Sequence, residues 1–168
     1  MPKIIIGVMG PGRDATTVDL HHAYELGQLI AQEQWIVLSG GLNLGVMAAV
    51  SKGAKSVGGM TIGILPGADR QFMSEFIDIP VITGMGSARN NINILSSDVV
   101  IACGMSTGTA SEVALALRAG KKVILLSENA NENAVENRFW QYLGADLVAI
   151  AQHPEHAIAL TKDLLAAS

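Results

Sequence analysis

Residues 104–112, Gly-Met-Ser-Thr-Gly-Thr-Ala-Ser-Glu, place glycines and small hydroxyl side chains where an oxyanion could be held. They follow the apolar run 99–103 and lead into Val113, Ala114 and Leu115, so the stretch reads as strand, tight turn and helix. Ser106, Thr107, Gly108 and Thr109 then fall at a helix start, where unpaired backbone N–H groups and the positive dipole end accept a phosphate. Glu112 adds a carboxylate to that first turn. Either it closes a capping box with Thr109 or it faces the ligand, and the roles are compatible because a capped glutamate is also preorganised.

Arg89 is the second residue with chemical promise. It stands about two residues into a predicted helix, where the dipole disfavours a cation by about 0.3–1 kcal/mol unless an anion compensates. The helix follows the glycine turn Gly84-Met85-Gly86, which favours a ligand contact over a solvated arginine. Other reactive types give weaker signals. The single cysteine, Cys103, reads as a small buried hydrophobe at a strand end. His21 and His22 are adjacent and point in different helical directions, and His153 and His156 straddle Pro154 at a helix start, so capping or solvent exposure is expected there rather than a metal. Met47, Met60, Met85 and Met105 fall near element ends and read mostly as core filler.

The elements that must position these groups follow in order. Strands are expected at residues 3–9, 35–38, 60–65, 80–83, 99–103, 123–126 and 147–150, each a short apolar run. Between them, Thr16 with Asp19 forms a capping box for a first helix, Gly45 opens a second, and residues 68–77 form loop or a short helix. Ser87 is the expected N-cap of a helix over 88–95, Gly120 closes the helix after Glu112, residues 134–143 form another, and Pro154 opens the last. Alternation of strands and helices predicts one domain over 1–168: an α/β, Rossmann-like, doubly wound and mostly parallel sheet with helices on both faces. In such a sheet the turns after the strands converge on one edge, where ligands bind near the reversal of strand order. Gly10, Gly12, Gly40, Gly41, Asn43 and Gly45 lie in such turns.

Composition excludes several classes. The chain has 168 residues with a hydrophobic share of 49%, a formal charge of −4 and no lysine or arginine cluster, which argues against nucleic acid as a partner. The N-terminal apolar run is short and ends in Gly10-Pro11-Gly12-Arg13, neither a signal peptide nor a membrane span, so a soluble cytoplasmic protein is expected. Neither G-x-G-x-x-G nor G-x-x-x-x-G-K-[ST] occurs, so no NAD or ATP site is expected, and no structural metal is foreseen.

Taken jointly, Ser39-Gly40-Gly41 with Gly45-Val46-Met47, the strand end Gly63-Ile64-Leu65-Pro66, Arg89, and Gly108-Thr109-Ala110-Ser111-Glu112 resemble a known family. It is the Rossmann-like group of the cytokinin-activating phosphoribohydrolases called LOG proteins and the molybdenum cofactor carrier proteins, with the DNA-processing proteins as distant relatives. The hydrolase branch carries P-G-G-x-G-T-x-x-E and a catalytic arginine in an R-K pair. Residue by residue, the resemblance implies Arg89 and Glu112 as the catalytic pair if this chain is a hydrolase.

Two departures fall in the site itself. Gly104-Met105-Ser106 stands where the hydrolases have P-G-G, and Asn90 follows Arg89 where they have lysine. Both are more similar to the carrier branch, which implies molybdopterin as a carried ligand and no catalytic residue. On that resemblance Ser106, Thr107, Gly108, Thr109 and Glu112 form the phosphate cradle. Gly40, Gly41 and Asn43 supply a second oxyanion contact, and Gly10, Gly12, Gly45 and Arg89 complete the site. Met105, in place of a signature glycine, is the methionine expected to wall the pocket. A homodimer or homotetramer and transient contact with molybdenum enzymes are likewise what the resemblance implies.

Overall fold

Strands built mostly from Val, Ile and Leu need cover on both faces, and the fold supplies it in the centre of the sheet, while Ile79, Val81 and Ile82 on an edge strand stay exposed. The computed structural model describes residues 2–126 and 135–167. The order is β1 (Ile5–Met9), α1 (Thr17–Gln32), β2 (Ile36–Ser39), α2 (Gly45–Ser56), β3 (Met60–Leu65), β4 (Ile79–Ile82), a 3-10 turn (Gly86–Arg89) running into α3 (Asn90–Leu95), β5 (Val99–Cys103), α4 (Thr107–Arg118), β6 (Lys122–Leu126), α5 (Val135–Gly144), a second 3-10 turn (Ala145–Leu147), β7 (Val148–Ala151) and α6 (Pro154–Ala166).

One 7-stranded sheet joins them in the order β4-β3-β2-β1-β5-β6-β7. Every neighbouring pair is parallel, so the expectation of a mostly parallel sheet is met in full. The chain winds outward from β1 through β2 and β3 to β4, then returns to place β5 on the other side of β1. That reversal is the switch point. Alternation along the strands divides the core into two layers. Val99, Ile101 and Cys103 face α1, α2 and α6 through Leu26, Ile30, Val50 and Ile158, while Val100 and Ala102 face α3, α4 and α5 through Ile94, Val113 and Trp140.

Local signals explain the helix ends. Thr16 caps α1 by accepting from the Asp19 N–H at 3.1 Å, and Asp19 returns the bond to the Thr16 N–H at 2.9 Å. Helices α1 and α2 approach closely because Gly27 and Gly53 carry no side chain: a Cβ at either would collide with the backbone of Val50 or Tyr24. His153 caps α6, accepting from the His156 N–H at 3.3 Å, with Pro154 in the first turn.

Several expectations narrow or change. Of the two alternatives for residues 68–77 the structure has the loop, with turns tied back by an antiparallel bridge between Leu42 and Met73. Ser87 does not cap an α-helix, because the chain after Met85 first makes the 3-10 turn and α3 starts at Asn90. Ala134, predicted to open α5, lies outside the described residues. Met60 and Met85 are not core filler; at 40% and 48% exposure they project from element ends into solvent. No helix among the described residues is long and apolar enough to cross a membrane.

Candidate functional site

At the carboxyl edge, the turns after β1, β2, β3, β4 and β5 enclose a cavity of about 360 Å³. Its size lies near the lower end of ligand pockets, about 300–1,000 Å³. It sits beside β1 and β5, where strand order reverses, as open α/β sheets dictate.

One wall is the start of α4. Gly104 turns the chain there with φ of 75°, and a Cβ would strike the carboxylate of Asp19. Ser106 then takes an extended conformation and caps the helix: its Oγ accepts from the Thr109 N–H at 3.2 Å and lies 2.9 Å from Thr109 Oγ1. The N–H groups of Thr107 and Gly108 precede any i−4 carbonyl of the helix and remain available to an anion. The cap is therefore Ser106, one turn before the expected Thr109.

That correction releases Glu112. It does not reach back to the Thr109 amide; its Oε1 accepts from Asn93 Nδ2 at 2.9 Å, and the residue lines the cavity while only 9% exposed. Burial raises its pKa above the ordinary carboxylate value, while the Asn93 bond and the positive charge of Arg89 act the other way.

Arg89 closes the 3-10 turn rather than standing inside an α-helix. Its Nη1 donates to the carbonyl of Gly40 at 2.8 Å and to that of Ile64, so the guanidinium clamps the ends of β2 and β3. Its Nε is buried without a partner among the described residues. Burial lowers its pKa and Glu112 opposes that, the same mutual effect seen from the other side. No ion pair joins Arg89 to Glu112 among the described residues.

The structure gathers Gly10, Gly12, Gly40, Arg89, Ser106, Gly108, Thr109 and Glu112 around the cavity. Gly41, Asn43, Gly45 and Thr107 are not in its lining. Gly41 packs on the backbone of Gly63, Gly45 on the carbonyls of Pro11 and Gly12, and the Asn43 N–H bonds to Phe72 O at 2.8 Å. Met105 is not in the lining either; the methionine walls are Met9 and Met47, joined by Pro66, Ser87 and Asn90. Nothing in their own types marks these additions, although Met9 ends β1, Pro66 follows β3, and Ser87 and Asn90 lie in the 3-10 turn and the α3 start that come after β4.

Cys103 is buried with its thiol 3.5 Å from the Asp19 carbonyl, and burial, then the charge of Asp19, raises its pKa. It is a packed hydrophobe. Among the described residues no group of three or more His, Cys, Asp or Glu side chains is arranged to hold a metal ion.

Comparison with known proteins agrees with this architecture. The chain is 46% identical over 127 residues to an uncharacterized protein of Archaeoglobus fulgidus, covering 75% of this chain and 82% of that one. Its fold superposes with a TM-score of 0.92 on the molybdenum cofactor binding protein of the phototrophic bacterium Rippkaea orientalis, at 52% identity over 98% of this chain and 99% of that one. With the molybdenum cofactor carrier protein of Chlamydomonas reinhardtii the TM-score is 0.89, at 51% identity over 98% and 99% of the two chains. The profile of the SLOG cluster4 family matches residues 3–158, and the chain belongs to that family.

Proposed function

We propose that this protein binds, protects and delivers the molybdenum cofactor, a phosphate-bearing pterin, in the cavity at the carboxyl edge of the sheet. The observation that carries the reading is full-length similarity, at 52% and 51% identity, to proteins described as binding or carrying that cofactor. The site's own chemistry suits such a ligand. The free amides of Thr107 and Gly108 at the Ser106-capped helix fit a terminal phosphate. Gly10 and Gly40 let the turns that form the site pack closely on their neighbours, for a Cβ at Gly10 would meet the Cys103 carbonyl and one at Gly40 would run into Arg89 and Met47.

In this reading Arg89 and Glu112 present a cation and a carboxylate to the polar parts of the ligand, and Gly41, Asn43 and Gly45 support the turns behind it. The cofactor's molybdenum chemistry belongs to the enzymes that receive it, and this chain binds, orients and shields. The reading also includes a cytoplasmic homodimer or homotetramer in transient contact with molybdenum enzymes. Sedimentation of a clean monomer at micromolar concentration would remove the oligomer from it.

A LOG-like phosphoribohydrolase is the second reading, favoured by Arg89 and Glu112 lining one cavity with the α4 start. It would hold a nucleoside 5′-phosphate at Gly108 and Thr109, with Arg89 and Glu112 on the ribose as the N-glycosidic bond breaks. Incubation with nucleoside 5′-monophosphates separates the two. The carrier leaves them intact, and steady release of free base would overturn the assignment.

A further inference from the structure

Asn93 contributes to the site without lining it. The side chain is fully buried on α3; its Nδ2 donates to Glu112 Oε1 at 2.9 Å and lies 3.9 Å from Met9 Sδ. Its Oδ1 has no partner among the described residues. Packing alone does not account for an amide here, since an apolar side chain of similar length fills the same space and leaves no orphan oxygen. The contact with Glu112 is therefore the feature with a consequence.

An N–H can only donate, so it is satisfied by the carboxylate and favours the charged form against burial. Arg89 is the charged group that also acts on Glu112, but its Nη1 is committed to the carbonyls of Gly40 and Ile64. Asn93 is thus the only direct side-chain hydrogen-bond partner of the Glu112 carboxylate among the described residues. One oxygen is held from behind, and Oε2 is left for whatever enters the cavity.

We infer that Asn93 is a positioning residue that keeps Glu112 as an oriented, ionised acceptor, so that the ligand group placed there is a hydrogen-bond donor, such as the amino-pyrimidinone edge of a pterin. This rests on the carrier reading and assigns an orientation within it: phosphate at the start of α4, donor edge at Glu112. A neutral Glu112 would offer such an edge a weaker acceptor. Charge-assisted hydrogen bonds are roughly twice as strong as neutral ones.

The test is equilibrium binding of molybdenum cofactor, released from a molybdenum enzyme, across the acid-to-alkaline range. Wild type, Asn93→Leu, Glu112→Gln and the double variant are compared, with far-UV circular dichroism as the folding check. Asn93→Ala replaces the leucine variant if that one does not pack. Wild-type affinity is expected to fall on acidification beyond the ligand's own titration, which Glu112→Gln reports. In Asn93→Leu the fall begins at higher pH, leaving binding severalfold weaker than wild type about one pH unit below the midpoint of the variant's Glu112 titration, and the gap narrows at alkaline pH. The double variant should bind no more weakly than Glu112→Gln. An Asn93→Leu profile superimposed on wild type, or a further loss in the double variant, overturns the inference. Failure of wild type to bind the cofactor at any pH sinks the carrier reading instead.

Discussion

Arg89 Nη1 donates to the carbonyl of Gly40 at 2.8 Å across a separation of 49 residues, and the same nitrogen reaches the carbonyl of Ile64. A single guanidinium thereby joins the ends of β2 and β3 at the floor of the cavity. Under the proposed function, structure and binding meet at this residue.

Arg89→Ala should weaken both. Two backbone carbonyls lose a buried donor, which costs about 1–3 kcal/mol, and cofactor affinity should fall at least roughly tenfold. Arg89→Lys keeps the charge but not the fork, so an intermediate loss is expected. Urea unfolding and ligand titration of the same samples check this; Arg89→Ala as stable as wild type would contradict the clamp.

Glu112→Gln should separate stability from binding. The folded-state pKa of Glu112 is raised, chiefly by burial, so the fold holds that proton more tightly than the unfolded chain. Its ionisation therefore costs stability as pH rises from the ordinary carboxylate range through the folded value, and the glutamine variant is free of that cost. Thermal unfolding at pH 5 and pH 8 should show the variant gaining on wild type at the higher pH while it binds cofactor less well. A variant that instead loses ground at pH 8 would refute the sign.

Ser106 can be tested by a pair of substitutions. Ser106→Ala removes the cap of α4 and should cost about 1 kcal/mol. Ser106→Asp caps as well as serine but puts a negative charge beside the anion site, so stability is retained and phosphate-bearing ligands bind more weakly. Equal binding by the aspartate variant and wild type would move the anion away from this helix start.

Asp78 governs a region remote from the cavity. Its Oδ1 lies 2.7 Å from Lys55 Nζ, and its Oδ2 accepts from the Thr61 N–H at 2.9 Å, tying α2 to the start of β3. Burial alone would raise its pKa, but Lys55 and Thr61 bring it below the ordinary value. A lowered pKa means stability present above the unfolded value, about 3.9, and lost as pH falls through the folded one. Asp78→Asn should cost about 1 kcal/mol near neutrality, since the pair is partly exposed and screened, and progressively less in acid. Chemical unfolding at neutral pH and again below the unfolded carboxylate value of about 3.9 checks it; a cost that grows in acid would contradict the assignment.

The strand framework was legible because parallel strands covered on both faces are apolar without a break. Residues 99–103 and 123–126 announce themselves, and the glycines after them mark the carboxyl edge. Arg89 was legible as a residue of the cavity because a cation near a helix start after a glycine turn asks for a compensating anion. What it found were two carbonyls at the floor of the cavity.

Glu112 was misread in one respect. Thr109-Ala110-Ser111-Glu112 matches a capping box, but Ser106 with Thr109 offers a start one turn earlier, and the pattern cannot choose between frames. Packing chose, because α4 turns Glu112 toward the buried amide of Asn93 on α3. Asn93 gave no signal, since a polar residue between Ile92 and Ile94 reads as the outer face of a helix. Met105 was misplaced because its alignment with a signature glycine says nothing about side-chain direction, and Met9 and Met47 line the cavity instead.

Retention of the cofactor itself decides whether this protein is a carrier. Purified protein is incubated with molybdenum cofactor released from a molybdenum enzyme, separated from free ligand by gel filtration, oxidised, and assayed by pterin fluorescence beside Arg89→Ala. Wild type should retain close to one pterin per chain, and the variant should show a clear loss. Wild type that retains no more pterin than an unrelated protein would contradict the carrier reading.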